Sequence, residues 1–214
     1  MVTSREEILN RLRSVQPEVG DFEVTNDYLP VAPRMDRSPQ GLLDLFVEVA
    51  QNLSCKVYLP ANQSQAIQVI LELLDDEQRL LSWDFENIPL PGLAEILSEH
   101  GIEISSGRDA SVKVGLTGAD AALAATGSLV LLTGKGKPRL VSLLPPVHIA
   151  VITRQQIIPD LESLMTEFRE KKPDVFQQNS SIMIISGPSR TADIAMQLIL
   201  GMHGPRELHI IILT

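Results

Sequence analysis

The sequence predicts an α/β protein with a mostly parallel sheet, and three observations lead to this fold class. From Lys56 onward, short apolar runs rich in β-branched residues alternate with segments of helical periodicity. Strands that alternate with helices of this length form parallel sheets covered by helices. The length of 214 residues, with 44% hydrophobic and 21% charged side chains, is typical of one globular domain with a substantial core.

Residues 1–37 are predicted to form a helical arm and an extended linker, and residues 38–214 one α/β domain. Hydroxyl residues and a pair of glutamates precede an apolar stripe, which predicts a helix from about Ser4 to Val15. Residues 16–37 lack periodicity and are interrupted by prolines and a glycine, as expected of a linker.

The first half of the domain shows the regular alternation. Ser38 and Pro39 fit a helix cap and a first-turn proline, so a helix is expected to begin there. The elements predicted next are strand Lys56–Leu59, helix Gln63–Leu74, strand Arg79–Ser82, helix Pro91–His100 and strand Gly101–Ile104.

The second half is richer in strands. The candidates are Val112–Leu116, Ser128–Leu132, Leu140–Leu144 and His148–Thr153, with one short helix at about Ala119–Ala125 and a hairpin turn at residues 134–138. We therefore expect an antiparallel or mixed section inserted in the sheet. A helix over Pro159–Lys171, a strand over Ser181–Ile185, a helix after Thr191 and a strand over Glu207–Leu213 complete the prediction.

The charge distribution argues against nucleic acid and membrane partners. Acidic residues outnumber basic ones by eighteen to seven in residues 1–107, whereas residues 108–214 hold eleven basic and nine acidic side chains. The acidic half repels nucleic acid and anionic membranes. The N-terminus lacks the apolar core of a signal peptide, and no apolar run reaches membrane-spanning length. We therefore expect a soluble, cytoplasmic protein.

The single cysteine, Cys55, excludes an intrachain disulfide and any cysteine cluster for zinc or iron–sulfur. The four histidines have no metal-ligand spacing. We therefore expect no bound metal, no cofactor, and a buried, unreactive thiol.

A strand–turn–helix pattern at residues 182–202 points to an anion site. A β-branched apolar run ends at Ser186, a glycine-proline-serine turn follows, and apolar residues of helical period begin beyond Thr191. The N-terminus of a helix binds anions, and an arginine fork suits carboxylate or phosphate. The predicted ligand-binding residues are Ser186, Gly187, Ser189, Arg190 and Thr191. The alternative is that Ser189 only caps the helix and Arg190 pairs with a nearby acid.

A second segment is predicted to line the same pocket. Hydroxyl and glycine residues flank the predicted short helix and would let a ligand approach the backbone. These residues are Thr117, Gly118, Thr126, Gly127 and Ser128. Ligands of α/β sheets collect at the carboxyl ends of strands, where we expect both segments to meet. Asp120 is a candidate catalytic residue, although it also fits the first turn of a helix.

His203 is the other candidate catalytic residue. Glycines at positions 201 and 204 predict the end of the last helix, where the dipole favours a charged imidazole. His148 begins a strand after two prolines and fits either a general base or a structural role. His209 alternates with its strand and has the pattern of a structural residue.

Five motifs in order carry a family resemblance. They are Thr117–Asp120, Ala124–Val130, Arg139–Ile149, Ser186–Ile194 and Leu200–Pro205. Together they closely resemble the LUD domain, specifically the lactate-utilisation protein C family, over about residues 112–214. Two positions depart from the family pattern. The family usually has Glu in its Ala-Glu-Thr-Gly motif, where this chain has Ala125, and often has Glu where this chain has Ala195.

The resemblance implies a three-layer α/β fold similar to the CoA-transferase and sugar-phosphate-isomerase superfamily. It also implies a cytoplasmic three-protein system that oxidises L-lactate to pyruvate, with the iron–sulfur ligands on Cys-rich partner proteins. On this basis we expect an accessory subunit without an iron–sulfur cluster that binds a small anionic metabolite.

Two alternatives stay open: a stand-alone isomerase or acyl-CoA-transferase-like enzyme, and a scaffold with a vestigial pocket, consistent with Ala125. Neighbouring genes for Cys-rich proteins would favour the subunit, and a solitary gene the enzyme.

Overall fold

A computed structural model describes residues 4–14, 36–105, 109–192 and 198–214 of the chain. Residues 4–14 belong to a first compact unit, Met1–Val31, and contain helix α1 (Ser4–Ser14). This helix buries no residue, and its apolar side chains Ile8 and Leu12 are 60% and 66% exposed. The predicted N-terminal helix is confirmed as far as Ser14. Residues 15–35, which include most of the predicted linker, lie outside the described residues.

The second unit, Ala32–Thr214, contains the α/β elements. Its helices are α2 (Pro39–Asn52), α3 (Gln63–Leu74), α4 (Leu93–Glu99), α5 (Leu161–Lys171) and α6 (Val175–Gln178). Its strands are β1 (Lys56–Tyr58), β2 (Arg79–Ser82), β3 (Glu103–Ile104), β4 (Val114–Thr117), β5 (Ala121–Leu123), β6 (Ser128–Thr133), β7 (Val147–Thr153), β8 (Ile157–Ile158), β9 (Ser181–Ile185), β10 (Arg190–Ala192), β11 (Leu198–Leu200) and β12 (Glu207–Leu213).

Six strands form the central sheet in the order β1–β12–β7–β4–β2–β3, and every neighbouring pair is parallel. The middle strands β7 and β12 are apolar runs, with Ile149 and Ile210 fully buried. Strands that are covered on both faces read as continuous apolar sequence rather than as alternation. The predicted α/β class with a mostly parallel central sheet is confirmed.

Four strands form a separate sheet in the order β8–β5–β6–β9, in which β6 pairs antiparallel with β5 and β9, and β8 pairs parallel with β5. The expectation that they are inserted in the parallel sheet is therefore wrong. Alternate residues of β6 explain the separation: Leu129 and Leu131 pack into the main core, whereas Val130 and Leu132 pack with Phe168 of α5 in a second cluster. Because side chains alternate along a strand, β6 joins two apolar layers.

The helices begin where capping side chains predict. The hydroxyl of Ser38 accepts from the Gly41 N–H at 3.0 Å at the start of α2, and Asp160 accepts from the Ser163 N–H at 2.7 Å at the start of α5. Each bond satisfies an N–H that lacks a partner within the helix. Within the parts of the chain that the structure describes, none of the helices is long and apolar enough to cross a membrane.

The predicted short helix at about Ala119–Ala125 is wrong. Residues 121–123 form β5, and a 3₁₀ turn follows at Ala124–Thr126. Alanine favours helix, but the Asp120 N–H donates to the carbonyl of Val130 at 2.8 Å and starts the antiparallel pairing with β6. The tertiary pairing overrides the local propensity.

The predicted strand at Leu140–Leu144 is also wrong, because Arg139–Ser142 is a 3₁₀ helix. The Leu144 N–H donates to the carbonyl of Leu140 at 2.9 Å, so this apolar run satisfies its backbone locally. The turn before it is present as a bridge between Gly134 and Lys137, but it leads into the 3₁₀ helix instead of a second strand.

The helix predicted after Thr191 is wrong in the described residues. Strands β10 and β11 pair as an antiparallel hairpin, with Thr191 opposite Ile199. Residues 193–197 lie outside the described residues. Apolar residues at this spacing fit a helix as well as a strand, but β-branched residues such as Thr191 and Ile199 favour the strand.

Candidate functional site

A cavity of about 240 Å³ lies where the loop after β9 passes over the first residues of β7 and β12. We call it the serine cavity, because the side chains of Ser142, Ser186 and Ser189 line it. His148, His203 and apolar residues that include Ile184 and Leu208 complete the lining. The Ser142 hydroxyl donates to the Arg139 carbonyl at 3.1 Å. The other polar groups of this otherwise apolar cavity can hydrogen-bond a small polar ligand.

His148 is the buried part of this lining. Its side chain is 1% exposed, and its Nε2 lies 2.8 Å from Oγ1 of Thr117, the last residue of β4. Burial lowers the pKa of His148 to about 3, and the nearby His209 acts in the same direction. The imidazole is therefore neutral near neutral pH. The imidazole orients the Thr117 hydroxyl but offers no positive charge to a ligand in the cavity.

The two turns singled out in the sequence meet through their hydroxyls. Ser128 Oγ lies 2.7 Å from Ser186 Oγ, and it donates to Thr126 Oγ1 at 2.8 Å. The pairing of β6 with β9 places Leu129 opposite Ile185 and so brings these ends together. Ser186 lines the serine cavity, whereas Ser128 stands one hydrogen bond behind it.

Glycines bring the backbone of these turns against helix α2. Gly127 has φ +57°, and a Cβ there would lie 2.6 Å from the Ala50 nitrogen. Gly187 has φ +85°, and a Cβ there would lie 2.8 Å from the Leu53 carbonyl. These positions need glycine both for the left-handed backbone and for the close approach. Gly118 similarly packs against the Asn87 carbonyl and is remote from the lining.

Arg190 lies on β10, and no helix begins there. Its guanidinium donates to the Leu53 carbonyl and, at 2.9 Å, to the Ser54 hydroxyl, just past the end of α2. Of the five residues predicted for the anion site, the structure brings Ser186, Gly187 and Ser189 to the serine cavity. Arg190 and Thr191 lie outside the lining, in the hairpin with β11.

Replacing Arg190 with Ala is expected to lower the free energy of unfolding by about 1 kcal/mol, because the variant loses two hydrogen bonds at an exposed position. Replacement with Lys should recover part of this loss, since an ammonium keeps the charge but lacks the fork. Urea unfolding of the three proteins measures the effect. An alanine variant of unchanged stability that bound small carboxylates more weakly would instead place Arg190 in an anion site.

Asp120 and His203, the two candidate catalytic residues, are not in one site. Asp120 accepts from the Leu132 N–H at 2.8 Å and pairs with Lys137 Nζ at 2.5 Å. His203 is exposed and lines the serine cavity, following β11 and a turn in which Gly201 has φ +77°. The prediction that a helix ends near His203 and favours its charged form is therefore wrong for the described residues.

The serine cavity also lies at the opposite end of the strands from that expected. His148 and Leu208 stand at the beginnings of β7 and β12, so the cavity is at the amino ends of the parallel strands. A separate cavity of about 400 Å³ at the carboxyl ends includes Thr153 and Leu213. The rule for ligands at carboxyl ends misplaced the serine cavity, because segments outside both sheets, at residues 142–143, 186–189 and 203–205, supply most of its lining.

Sequence reasoning missed a polar network on β1 and β12. Tyr58 stacks on His209 with its hydroxyl 3.0 Å from Nδ1, and His209 Nε2 lies 3.3 Å from Glu207, which pairs with Lys56 at 2.7 Å. Burial lowers the pKa of His209, and the hydrogen bond from Lys56 lowers the pKa of Glu207. The network ties the edge strand to its neighbour, in line with the structural role expected for His209.

Cys55 precedes β1 and is 5% exposed. Burial raises the pKa of its thiol to about 11, and the charge of Arg190 acts weakly against this. The expected burial is confirmed, and the thiolate that would react or bind metal is disfavoured. In the described ranges, no group of three or more His, Cys, Asp or Glu side chains is placed to hold a metal ion.

Fold and cavity define an α/β domain with a parallel sheet, a second, mixed sheet and a small site that serines and histidines line. Residues 43–213 match the family model of the LUD domain. The chain therefore belongs to the LUD domain family, and the resemblance drawn from its motifs is confirmed. The position of Ala125 is on the 3₁₀ turn beside Thr126, whereas Ala195 lies outside the described residues.

Relatives and a solved structure agree with this assignment. A protein of Halalkalibacterium halodurans named lactate utilization protein C is 30% identical, and the alignment covers 99% of each chain. A Geobacillus protein of the same name is 33% identical over 63% of this chain and 62% of its own. The crystal structure of a DUF162 family protein from Deinococcus radiodurans has a TM-score of 0.59 at 19% identity, covering 83% of this chain and 99% of that one. This last likeness supports the fold.

Proposed function

We propose that this chain acts in lactate utilisation as the component without an iron–sulfur cluster, and that the serine cavity binds a small carboxylate. The names of the Halalkalibacterium and Geobacillus relatives support the process. The observation that carries the binding proposal is that Ser186, Ser189 and two histidines line one small cavity. Lactate and pyruvate are the ligands that this chemistry and the relatives' names suggest.

The lining suits a small anion with an apolar end. The Ser189 hydroxyl is a donor to a carboxylate, whereas the proton of Ser186 is engaged with Ser128. Ile184 and Leu208 offer contact to a methyl group. A neutral His148 hydrogen-bonds a carboxylate or hydroxyl without attracting it as a charge would. His203 is therefore the lining residue to which we assign the contact with the anion, through its exposed imidazole.

The proposal assigns electron transfer to partner proteins. One cysteine cannot supply the thiolates that an iron–sulfur cluster takes. Two apolar residues that line the serine cavity are exposed, Ile184 at 45% and Leu143 at 39%. Exposed apolar residues of this kind fit a protein contact that would bring a Cys-rich partner beside the bound ligand.

Replacing His203 with Ala is expected to weaken binding of lactate or pyruvate by about tenfold, the effect of losing one hydrogen bond to a charged group. Isothermal titration of the full chain measures the affinity. His100→Ala is the matched control, because His100 is an exposed histidine directly after α4 that lies outside the lining. Equal affinities in the two variants, or no binding of either acid, would refute a carboxylate site in the serine cavity.

The partner proposal has its own test. The full chain, used as bait in extracts of cells grown on lactate, should retain Cys-rich proteins that carry iron–sulfur absorbance. Extracts of cells grown without lactate are the control for non-specific capture. Retention of the same proteins in both extracts, or of none, would argue against an accessory subunit of such a system.

A further inference from the structure

A second cavity, of about 400 Å³, lies at the corner between α5 and α6 and shares no residue with the serine cavity. We call it the lysine cavity. Three lysines line it together with one carboxylate and two side-chain amides: Lys137, Lys171, Lys172, Asp174, Gln178 and Asn179. This excess of positive charge stands out in a chain whose net charge is −9.

The corner that presents two of the lysines is fixed by the sequence. Helix α5 ends at Lys171, because Pro173 cannot continue a helix and disfavours the helical conformation of Lys172. The Val175 N–H then donates to the Lys172 carbonyl at 3.0 Å, and the Val175 side chain is buried in the cluster around Phe168. Both lysines therefore stand on an anchored corner.

The third lysine comes from another element. Lys137 follows the turn after β6, and its Nζ lies 2.5 Å from Asp120 Oδ1 and 5.3 Å from the centre of the Trp83 ring. Its side chain is 21% exposed. The carboxylate and the ring hold this ammonium in place at the cavity wall.

The charges of the lysine cavity are not balanced. Among the described residues, neither Lys171 nor Lys172 has a carboxylate within ion-pair distance. The dipole of α5 accounts for two lysines at its C-terminus. Lys137 is paired with Asp120, so Asp174 is the one carboxylate of the lining left to balance Lys171 and Lys172. Two ammonium groups against one carboxylate leave a net positive charge that an anion in the cavity would neutralise.

We propose that the lysine cavity binds a small phosphate-bearing anion. Lysines act as point charges and suit a phosphate dianion, whereas carboxylates are better matched by the planar fork of arginine. The amides of Gln178 and Asn179 offer further donors. This site is independent of the serine cavity and of the proposed role in lactate utilisation.

Titration of the full chain with inorganic pyrophosphate at low salt tests the proposal. The double variant Lys171→Ala/Lys172→Ala should weaken binding by about tenfold or more, because two charged contacts are lost. The matched control is Lys135→Ala/Arg139→Ala, which removes two exposed cations that do not line the cavity. It should change the affinity by less than about threefold, the effect of long-range charge alone.

Two outcomes would overturn the proposal: no binding of pyrophosphate by the unmodified chain, or equal weakening in both double variants, which would indicate diffuse attraction. His203→Ala should leave pyrophosphate affinity unchanged, since His203 lines the other cavity. Failure of the lysine cavity is thus distinguishable from failure of the serine cavity.

Discussion

Replacing Gly115 with Ala should destabilise the protein by about 3 kcal/mol, at the upper end of what an extra core methyl group costs. Gly115 lies in the buried strand β4, and a Cβ there would collide with the carbonyl oxygen of Val141 and reach Pro145 Cγ at 3.0 Å. The colliding atom belongs to a fully buried stretch of backbone, so it cannot move aside as a flexible side chain would.

Gly134→Ala is the matched control for this measurement. A Cβ at Gly134 would meet its nearest neighbour, Asn179 Oδ1, at an ordinary 3.5 Å. The control should therefore change the free energy of unfolding by less than about 0.5 kcal/mol in urea denaturation. Similar stabilities of the two variants would mean that the 3₁₀ helix at Arg139–Ser142 shifts freely away from β4, contrary to the packing described.

Local signals in the sequence predicted the bounds of several helices and strands well. Helix α3 and strands β2, β9 and β12 have the predicted bounds, because caps and breaks mark the ends of these elements. The cap at Asn62 is an example: its side chain accepts from the Gln65 N–H at 2.9 Å. The ends of such elements depend on a few neighbouring residues, so they can be predicted without reference to the rest of the chain.

The errors concern segments whose structure depends on distant partners. The alanines of β5 favour a helix by themselves, and only their pairing with β6 makes them a strand. The apolar run after Thr191 fits two periods, and its pairing decides between them. The spacing of residues in the sequence predicts neither of these two strand pairings.

The candidate site was predicted in part for the same reason. The motifs indicate Ser186 and Ser189, which line the serine cavity, and Ser128, which forms a hydrogen bond with Ser186. Arg190 was assigned to a ligand because its charge is visible in the sequence, whereas its contact with the end of α2 is 137 positions away in the chain. Likewise, Asp120 pairs with Lys137. The sequence predicts the turn that carries Lys137 but not the direction in which the turn places its side chain.

Between about pH 7.5 and pH 4.5, the protein should lose about 2 to 3 kcal/mol of stability through His148 alone. The pKa of His148 is about 3 in the folded protein, against an ordinary value of 6.5. Below that ordinary value His148 binds a proton in the unfolded chain but stays neutral in the folded protein. The free energy of unfolding therefore falls as the pH falls, until the folded imidazole is protonated as well. The pKa of His209 is lowered as well, which adds a loss of the same sign.

The variant His148→Gln isolates the contribution of His148, since glutamine retains a polar side chain beside Thr117 but does not titrate. The measurement is the free energy of unfolding in urea at several pH values, and the informative quantity is its slope with pH rather than its absolute value. The variant should show a flatter slope than the unmodified protein across this range. Carboxylates contribute equally to both proteins and cancel in the comparison. Parallel slopes for the unmodified protein and His148→Gln would show that His148 takes up its proton in the folded state, which requires water or a ligand to reach it through the serine cavity.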